Sequence, residues 1–258
     1  MSFTTNAYAV YKQQSEQLLD FAVFVSYAVP LLRSEIARVK TGTVSSLPRP
    51  DFFFKSNRST PDDLLKIEPD YESRLASYLL LSAFSFFEAF VSSIIEELIE
   101  FHGGADDFVA RSDTRTQRFM APHSAAISKL KKKVRGAEVG NLRDKYRKFS
   151  RLLAEQGYRF PGELLAPFGL RMLIAKLKRL KAFEIPAVLS GALQLKLSSA
   201  EIKIFTTIRE TRNSIAHGKP SKMTMRDAVA MATELRELGT KIALHLNENF
   251  FLVERYAP

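Results

Sequence analysis

The sequence predicts an all-α protein: an antiparallel four-helix-type bundle with a large basic helical insertion between its second and third core helices. Two long stretches repeat apolar residues at helical spacing, two capping sequences precede amphipathic stretches near the C-terminus, and no segment alternates as a half-buried strand does. With 258 residues, 46% of them hydrophobic, the chain can bury a sizeable core. We expect one domain over residues 1–258, with a core bundle at about 6–103 and 198–250 and the insertion at about 104–197.

The first half of the bundle is predicted to contain two long helices. Residues 6–40 have helical periodicity, with a kink or break expected at Pro30. Residues 41–69 are rich in Pro and Ser and are predicted to form a loop. Residues 70–102 are apolar on nearly every side, which indicates a helix buried among other helices, and a Gly-Gly pair ends it.

The second half of the bundle is predicted from two capping sequences. The S-x-x-E sequence that begins at Ser198 has the form of a capping box, so a helix should start there and run to His217, where glycine and proline follow. The T-x-x-D sequence that begins at Thr224 resembles a second cap and should start a last helix that ends near residue 249.

The amino-acid composition excludes several kinds of site. The chain has no cysteine, so it has no disulfide, thiolate zinc site, iron–sulfur ligation or cysteine nucleophile. The four histidines show no metal-ligand spacing. We therefore expect neither a metal nor another cofactor.

No membrane-spanning segment is expected. Residues 21–32 are too short a stretch and contain Pro30, and the longer stretch 75–95 carries Glu88 near its centre. Residues 1–12 lack a basic region followed by an apolar one, so no signal peptide is expected. These features predict a cytoplasmic protein without a membrane partner.

The positive charge is concentrated in one segment. The formal net charge is +10, and residues 111–151 carry thirteen basic and three acidic side chains, which accounts for the whole excess. Concentrated positive charge attracts a polyanion through counterion release, and interleaved aromatic residues can stack on unpaired bases. The alternative is a solvated helix face whose aromatic residues lie in the core. The candidate nucleic-acid-binding residues are Lys131, Lys132, Lys133, Arg135, Arg143, Lys145, Arg147 and Lys148.

One motif indicates chemistry. Arg212, Asn213 and His217 form the pattern R-N-x-x-x-H, with Gly218 directly after it, at the end of a predicted helix that is followed by one more long helix. This resembles the R-x(4–6)-H signature of the HEPN superfamily, and the R-N-x-x-A-H-G form is closest to its RiboL-PSP-type branch. An aromatic segment around Glu88 in the second predicted helix resembles one common in these bundles. The resemblance implies a metal-independent endoribonuclease, with a toxin or anti-phage role.

The residue types fit that chemistry without the family. Cleavage of RNA by its own 2′-hydroxyl needs a proton acceptor for the hydroxyl and a proton donor for the leaving 5′-oxygen, and histidine serves either role near neutral pH. The negative charge that the phosphorane gains is stabilised by a guanidinium with paired donors. The candidate catalytic residues are therefore Arg212, His217, Asn213 and Glu88, and the expected products carry a 2′,3′-cyclic phosphate and a 5′-hydroxyl.

The spacing of the motif predicts a homodimer. Five positions separate Arg212 and His217 by roughly 140° around an ideal helix, so one helix does not bring both side chains to one phosphate. The core-facing side of this helix, opposite the face of Asn213 and His217, is predicted to carry Ile204, Ile208 and Ile215. Two copies that meet about a two-fold axis could form a composite site, as the family resemblance also implies.

Alternatives remain at each of these residues. His217 can be a favourable partner of the helix dipole, and Arg212 can be a structural arginine. Glu88 can pair with a basic residue inside the bundle, and Asn213 can be a residue that only makes a hydrogen bond at the helix end. The corresponding alternative function is a non-catalytic module that binds RNA, nucleotides or a partner protein; a DNA-binding protein is a third possibility. An antitoxin is a possible partner, although Lys219 stands where nucleotidyltransferase-paired toxins often carry the modified tyrosine.

Overall fold

All regular secondary structure is helical in the part of the chain that its structure, a computed structural model, describes. The described residues are 4–47, 60–120, 170, 173–175, 179–219 and 223–251. The α-helices within them are α1 (Asn6–Lys40), α2 (Pro61–Ile67), α3 (Tyr71–Phe101), α4 (Ala105–Met120), α5 (Ile185–Gly191), α6 (Ser199–Ala216) and α7 (Met225–Asn249). No strand occurs among these residues, and the predicted all-α fold is confirmed.

Helix α3 is the centre of the bundle. It packs against α1, α6 and α7, which explains why its sequence is apolar on most sides. Its ring side chains join the helices: Phe90 stacks on Tyr11 of α1 with ring centroids 4.7 Å apart, and Phe84 stacks on Phe205 of α6 at 5.8 Å. The largest of its fully buried side chains are Leu79, Leu80, Phe84, Phe87, Ile94, Ile95 and Leu98.

Helix α1 is continuous through Pro30, so of the two expected alternatives, a kink and a break, the break does not occur. Its start depends on α3, because the Glu97 carboxylate accepts hydrogen bonds from the backbone N–H groups of Asn6 and Ala7 at 2.9 and 2.8 Å. These are two of the N–H groups that a helix start leaves without an internal partner.

Helix α2 corrects the loop predicted for residues 41–69. Thr60 caps it by accepting from the backbone N–H of Asp63 at 3.2 Å, and Pro61 occupies its first turn. These are ordinary helix-start signals, which the Pro- and Ser-rich composition of the whole stretch obscured. Residues 48–59, with the phenylalanines of the expected loop, lie outside the described residues.

Helices α6 and α7 begin as predicted. Ser198 and Thr224 each form a full capping box with the acidic residue three positions later. The predicted core face of α6 is wrong at one position: Ile208 is buried and Ile215 packs against the core, but Ile204 is exposed, because Phe205 next to it faces α3.

Helix α7 packs closely on α1 at a glycine. A Cβ atom on Gly239 would lie 2.5 Å from Cε1 of Tyr11, so the two helices approach at this point only because Gly239 has no side chain. The hydroxyl groups of Tyr8 and Thr240 are 2.8 Å apart at the same junction. Burial of the Tyr11 phenol raises its pKa.

Among the described residues, two helical segments, 6–40 and 61–101, are long and apolar enough to cross a bilayer by length and composition. Half of the apolar window of 61–101 is buried, as befits the central helix of a bundle, whereas only 6% of the window in α1 is buried. Helix α1 therefore carries an exposed apolar surface. The expected absence of a membrane span stays a prediction.

Candidate active site

A glycine-dependent turn ends α6 and fixes the backbone of the motif histidine. His217 is the C-cap residue, and Gly218 follows it with φ of +73°. The N–H of Gly218 donates to the carbonyl of Ile215 at 2.9 Å, and the N–H of Lys219 donates to the carbonyl of Ser214 at 3.1 Å. This pair of bonds is a Schellman motif, in which a side chain at the left-handed position is strained. The turn that ends α6 therefore explains why the sequence motif has a glycine at position 218.

The His217 side chain is exposed at the end of α6. Within the part of the chain that the structure describes, its imidazole makes no hydrogen bond and no ion pair. An exposed imidazole can exchange a proton with a bound molecule, as general acid–base chemistry requires.

Arg212, in contrast, is held between α6 and α3. Its Nη2 donates to Oε2 of Glu88 at 2.7 Å, and its Nη1 donates to Oδ1 of Asn213 at 3.0 Å. The guanidinium carbon lies 5.0 Å from the centre of the Phe84 ring, within cation–π distance. Phe84 and Glu88 are four residues apart on α3 and so lie on one face. We call these four residues the Arg212 cluster.

The Glu88 carboxylate has a raised pKa. Its burial between the helices disfavours the charged form and raises the pKa, while the positive charge of Arg212 acts in the opposite direction and is the smaller effect. Both side chains of the pair keep about a quarter of their surface exposed, 25% for Arg212 and 28% for Glu88. The ion pair is therefore reachable from solvent at one edge.

The geometry leaves Arg212 able to bind an anion. A guanidinium has five N–H donors, and the contacts to Glu88 and Asn213 use one N–H each. The remaining donors, on a partly exposed side chain, can bind phosphate oxygens in a fixed orientation.

The structure thus brings three of the four predicted catalytic residues together and leaves the fourth apart. Glu88, Arg212 and Asn213 form one hydrogen-bonded cluster, whereas His217 is exposed at the helix end and shares no hydrogen bond with them. Sequence analysis missed Phe84, although its position four residues before Glu88 was an available signal. The predicted nucleic-acid-binding residues, from Lys131 to Lys148, lie outside the described residues.

Within the described residues, no three or more His, Asp or Glu side chains are placed to hold a metal ion. The Arg212 cluster has one carboxylate, and its hydrogen bonds go to a guanidinium. The expectation of metal-independent chemistry stays a prediction.

Comparison with known proteins identifies a family. The sequence matches the RiboL-PSP-HEPN family over residues 52–248, a range that contains the Arg212 cluster and His217 and leaves out α1. No curated protein and no solved structure matches the chain. Since the matched range covers more than half of its residues, the chain belongs to the RiboL-PSP-HEPN family.

Proposed function

We propose that this protein is a metal-independent endoribonuclease that cleaves RNA by attack of the 2′-hydroxyl on the adjacent phosphate. The observation that carries the proposal is the difference between the surroundings of Arg212 and those of His217 near the end of α6. An oriented guanidinium and an exposed imidazole stand five residues apart, the first held by Glu88 and the second free to exchange protons. Membership of a HEPN family supports an RNase-like or nucleotide-related role.

In the proposed reaction, Arg212 binds the scissile phosphate and stabilises the charge that develops on its equatorial oxygens. Asn213 and Glu88 orient the guanidinium. His217 takes the proton from the 2′-hydroxyl or gives one to the leaving 5′-oxygen. The bond from phosphorus to the 5′-oxygen breaks as the bond to the 2′-oxygen forms, which leaves a 2′,3′-cyclic phosphate and a 5′-hydroxyl.

The separation of Arg212 from His217 supports a composite site. We propose that two copies place their α6 ends about a two-fold axis, so that residues of both act on one phosphate. The basic segment 111–151 supplies contacts to the RNA backbone, and a toxin or defence role in the cytoplasm, with an antitoxin as partner, is consistent with such an activity.

A second candidate function is a binding module without catalysis. The favouring observation is that Arg212 is already held by Glu88 and stacked on Phe84, as a structural arginine would be. On this alternative, the helix end binds RNA or a nucleotide without cleaving it.

The two functions separate in one experiment. Wild type, His217→Ala and Lys203→Ala are purified identically and incubated with RNA in EDTA, and the product ends are mapped. We expect cyclic-phosphate ends from wild type and from Lys203→Ala, which changes an exposed cation on the same helix, and no cleavage above background from His217→Ala. Binding of RNA by wild type without cleavage, or equal cleavage by folded His217→Ala, would favour the binding module. Cleavage that EDTA abolishes would contradict the metal-independent mechanism.

A further inference from the structure

Helix α1 carries a line of exposed side chains along its outer face. Asp20, Phe24, Tyr27, Leu31, Ser34 and Arg38 follow one another at alternating spacings of four and three residues, so they lie within about 40° of one line along the helix. We call them the α1 stripe. All six are exposed, and the three apolar ones strongly so: 69% for Phe24, 73% for Tyr27 and 66% for Leu31.

The α1 stripe is not explained by the packing of the bundle. The residues of α1 that are buried against the rest of the molecule lie on the opposite face of the helix; they are Ala7, Tyr11, Ala22 and Ile36. Single exposed apolar residues are ordinary on protein surfaces, but a contiguous group of large ones marks an interaction surface. The family match begins at residue 52, so it does not account for this face either.

The charges at the two ends of the α1 stripe identify its partner. We propose that the stripe binds the α1 stripe of a second copy, with the two helices antiparallel about a two-fold axis at the level of residue 29. That arrangement pairs each Asp20 with Arg38 of the other copy and each Tyr27 with Leu31. A parallel arrangement would instead place Asp20 against Asp20 and Arg38 against Arg38, which like-charge repulsion disfavours.

The hydrogen-bond state of the two end residues agrees with this pairing. Asp20 is exposed and makes no ion pair within the described residues. Arg38 uses Nη1 to donate to Glu35 at 2.7 Å, and its remaining N–H groups stay available on a side chain that is 51% exposed. The alternation of four- and three-residue spacings is also the pattern with which two helices interlock their side chains along a seam.

A bilayer is a poorer partner for the same face. An interfacial helix places its charges on the side away from the lipid, whereas Asp20 lies on the line of the apolar residues themselves. A carboxylate there is costly against hydrocarbon and favourable against an arginine of a second copy.

This contact does not rest on the proposed ribonuclease function. The α1 stripe faces away from α3, whereas the Arg212 cluster lies where α3 meets α6, so the two sites are on different sides of the molecule. A contact through the stripe and a two-fold contact of α6 are then separate, and a chain that makes both about perpendicular axes forms a dimer of dimers.

Reversal of the two charges tests the proposal. The molar mass of wild type, Asp20→Arg, Arg38→Asp and the double variant is measured by light scattering at micromolar concentration, with helical circular dichroism as the folding control. Each single variant should show half the mass of wild type, and the double variant should regain it. A monomeric wild type would overturn the proposal, whether or not it binds to phosphatidylserine vesicles. Single variants of unchanged mass would overturn it too.

The absence of cysteine allows a direct test of the antiparallel direction. A two-fold axis at residue 29 places the two copies of residue 31 about 6 Å apart along the helix axis and the two copies of residue 13 about 48 Å apart. A short bismaleimide should therefore link Leu31→Cys into covalent dimers and leave Gln13→Cys, which lies on the same line, unlinked. Equal linking of both variants would overturn the antiparallel geometry.

The RNA cleavage assay distinguishes failure of this proposal from failure of the proposed function. Asp20→Arg should retain cleavage while its mass is halved, since the stripe contains no residue of the Arg212 cluster. Loss of cleavage in that variant would contradict the separation of the two surfaces.

Discussion

His102 and His217 occupy the same position at the ends of two helices but have opposite surroundings. Each is a C-cap residue followed by a glycine of positive φ. The His102 imidazole is buried, bonds through Nε2 to the carbonyl of Phe250 at 2.8 Å and stacks on Phe108 at 4.2 Å, whereas the His217 imidazole is exposed. The turn requires the glycine and not the histidine, so the role of each histidine follows from what its side chain contacts.

We expect substitution of His217 to affect RNA cleavage and substitution of His102 to affect the free energy of unfolding. His217→Ala should lose about 10²- to 10⁴-fold in cleavage with little change in the free energy of unfolding. His102→Ala should keep its activity per folded molecule and lose about 3 kcal/mol of stability, because a buried carbonyl loses its partner and a cavity forms. Urea denaturation and initial cleavage rates on both variants check this, and a His217→Ala variant that is as destabilised as His102→Ala would contradict it.

Arg212→Lys should lose about 10²- to 10³-fold in cleavage while remaining folded, because an ammonium group keeps the charge but cannot bind Glu88 and phosphate with a planar fork. Rates at matched concentrations of folded protein measure the effect. Wild-type rates in Arg212→Lys would show that a point charge suffices.

The raised pKa of Glu88 predicts a pH dependence of stability. Because the folded state binds the proton more tightly than the unfolded state, the contribution of Glu88 is greatest below about pH 4.5, the usual pKa, and declines as the pH rises through the raised value. Unfolding free energies of wild type minus Glu88→Gln should therefore fall with rising pH above about 4.5. A difference that rises over that range would mean that the positive charge of Arg212 affects the pKa of Glu88 more than burial does.

Glu201 should show the opposite dependence. The ammonium group of Lys241, 2.5 Å away, and the backbone N–H of Ser198 lower its pKa to about 2. Its contribution is then present above about pH 4.5 and lost as the pH falls toward 2. Glu201→Gln should lose about 1 kcal/mol at pH 7 and much less at pH 2, where the carboxylate of the folded protein is partly protonated. Urea unfolding at both pH values tests this, with the exposed Glu210→Gln on the same helix as control.

Gly239→Ala should destabilise the protein by about 1 to 2 kcal/mol, although alanine is the better helix former. Overpacking against the Tyr11 ring costs about 1–3 kcal/mol, and the gain in helix propensity is at most about 1 kcal/mol. Tyr11→Leu removes the ring edge, so a double-mutant cycle should show that the alanine costs less in that background. Additive effects would mean that the ring is not the obstacle.

Replacement of Lys131, Lys132 and Lys133 by alanine should weaken RNA binding and reduce its salt dependence. With fewer phosphate contacts, fewer counterions are released when the protein binds. Binding measured by fluorescence anisotropy over a series of salt concentrations tests this. An unchanged slope would remove these lysines from the interface.

The sequence predicted the features that depend on neighbouring residues. The boxes at Ser198 and Thr224 were identifiable because the partner of each cap lies three positions away, and the end of α6 because one glycine determines it. The pairing of Arg212 with Glu88 spans 124 positions, and the contact of Gly239 with Tyr11 joins the two ends of the chain. Such contacts depend on how helices pack, so spacing along the chain could name Glu88 as a candidate but could not choose its partner.

The carboxylate of Glu97 has a consequence for how the N-terminal helix can be observed. Because it binds the first two amide groups of α1, that turn is complete only while α1 lies on α3. Deuterium exchange at Asn6 and Ala7 should therefore be slow in the docked helix and should accelerate when α1 detaches, even if its middle turns stay helical. The exchange of these two amides therefore reports whether α1 is docked on α3. Glu97→Gln keeps an acceptor but removes the charge, so it should shorten the exchange lifetimes of these amides without altering those of α7.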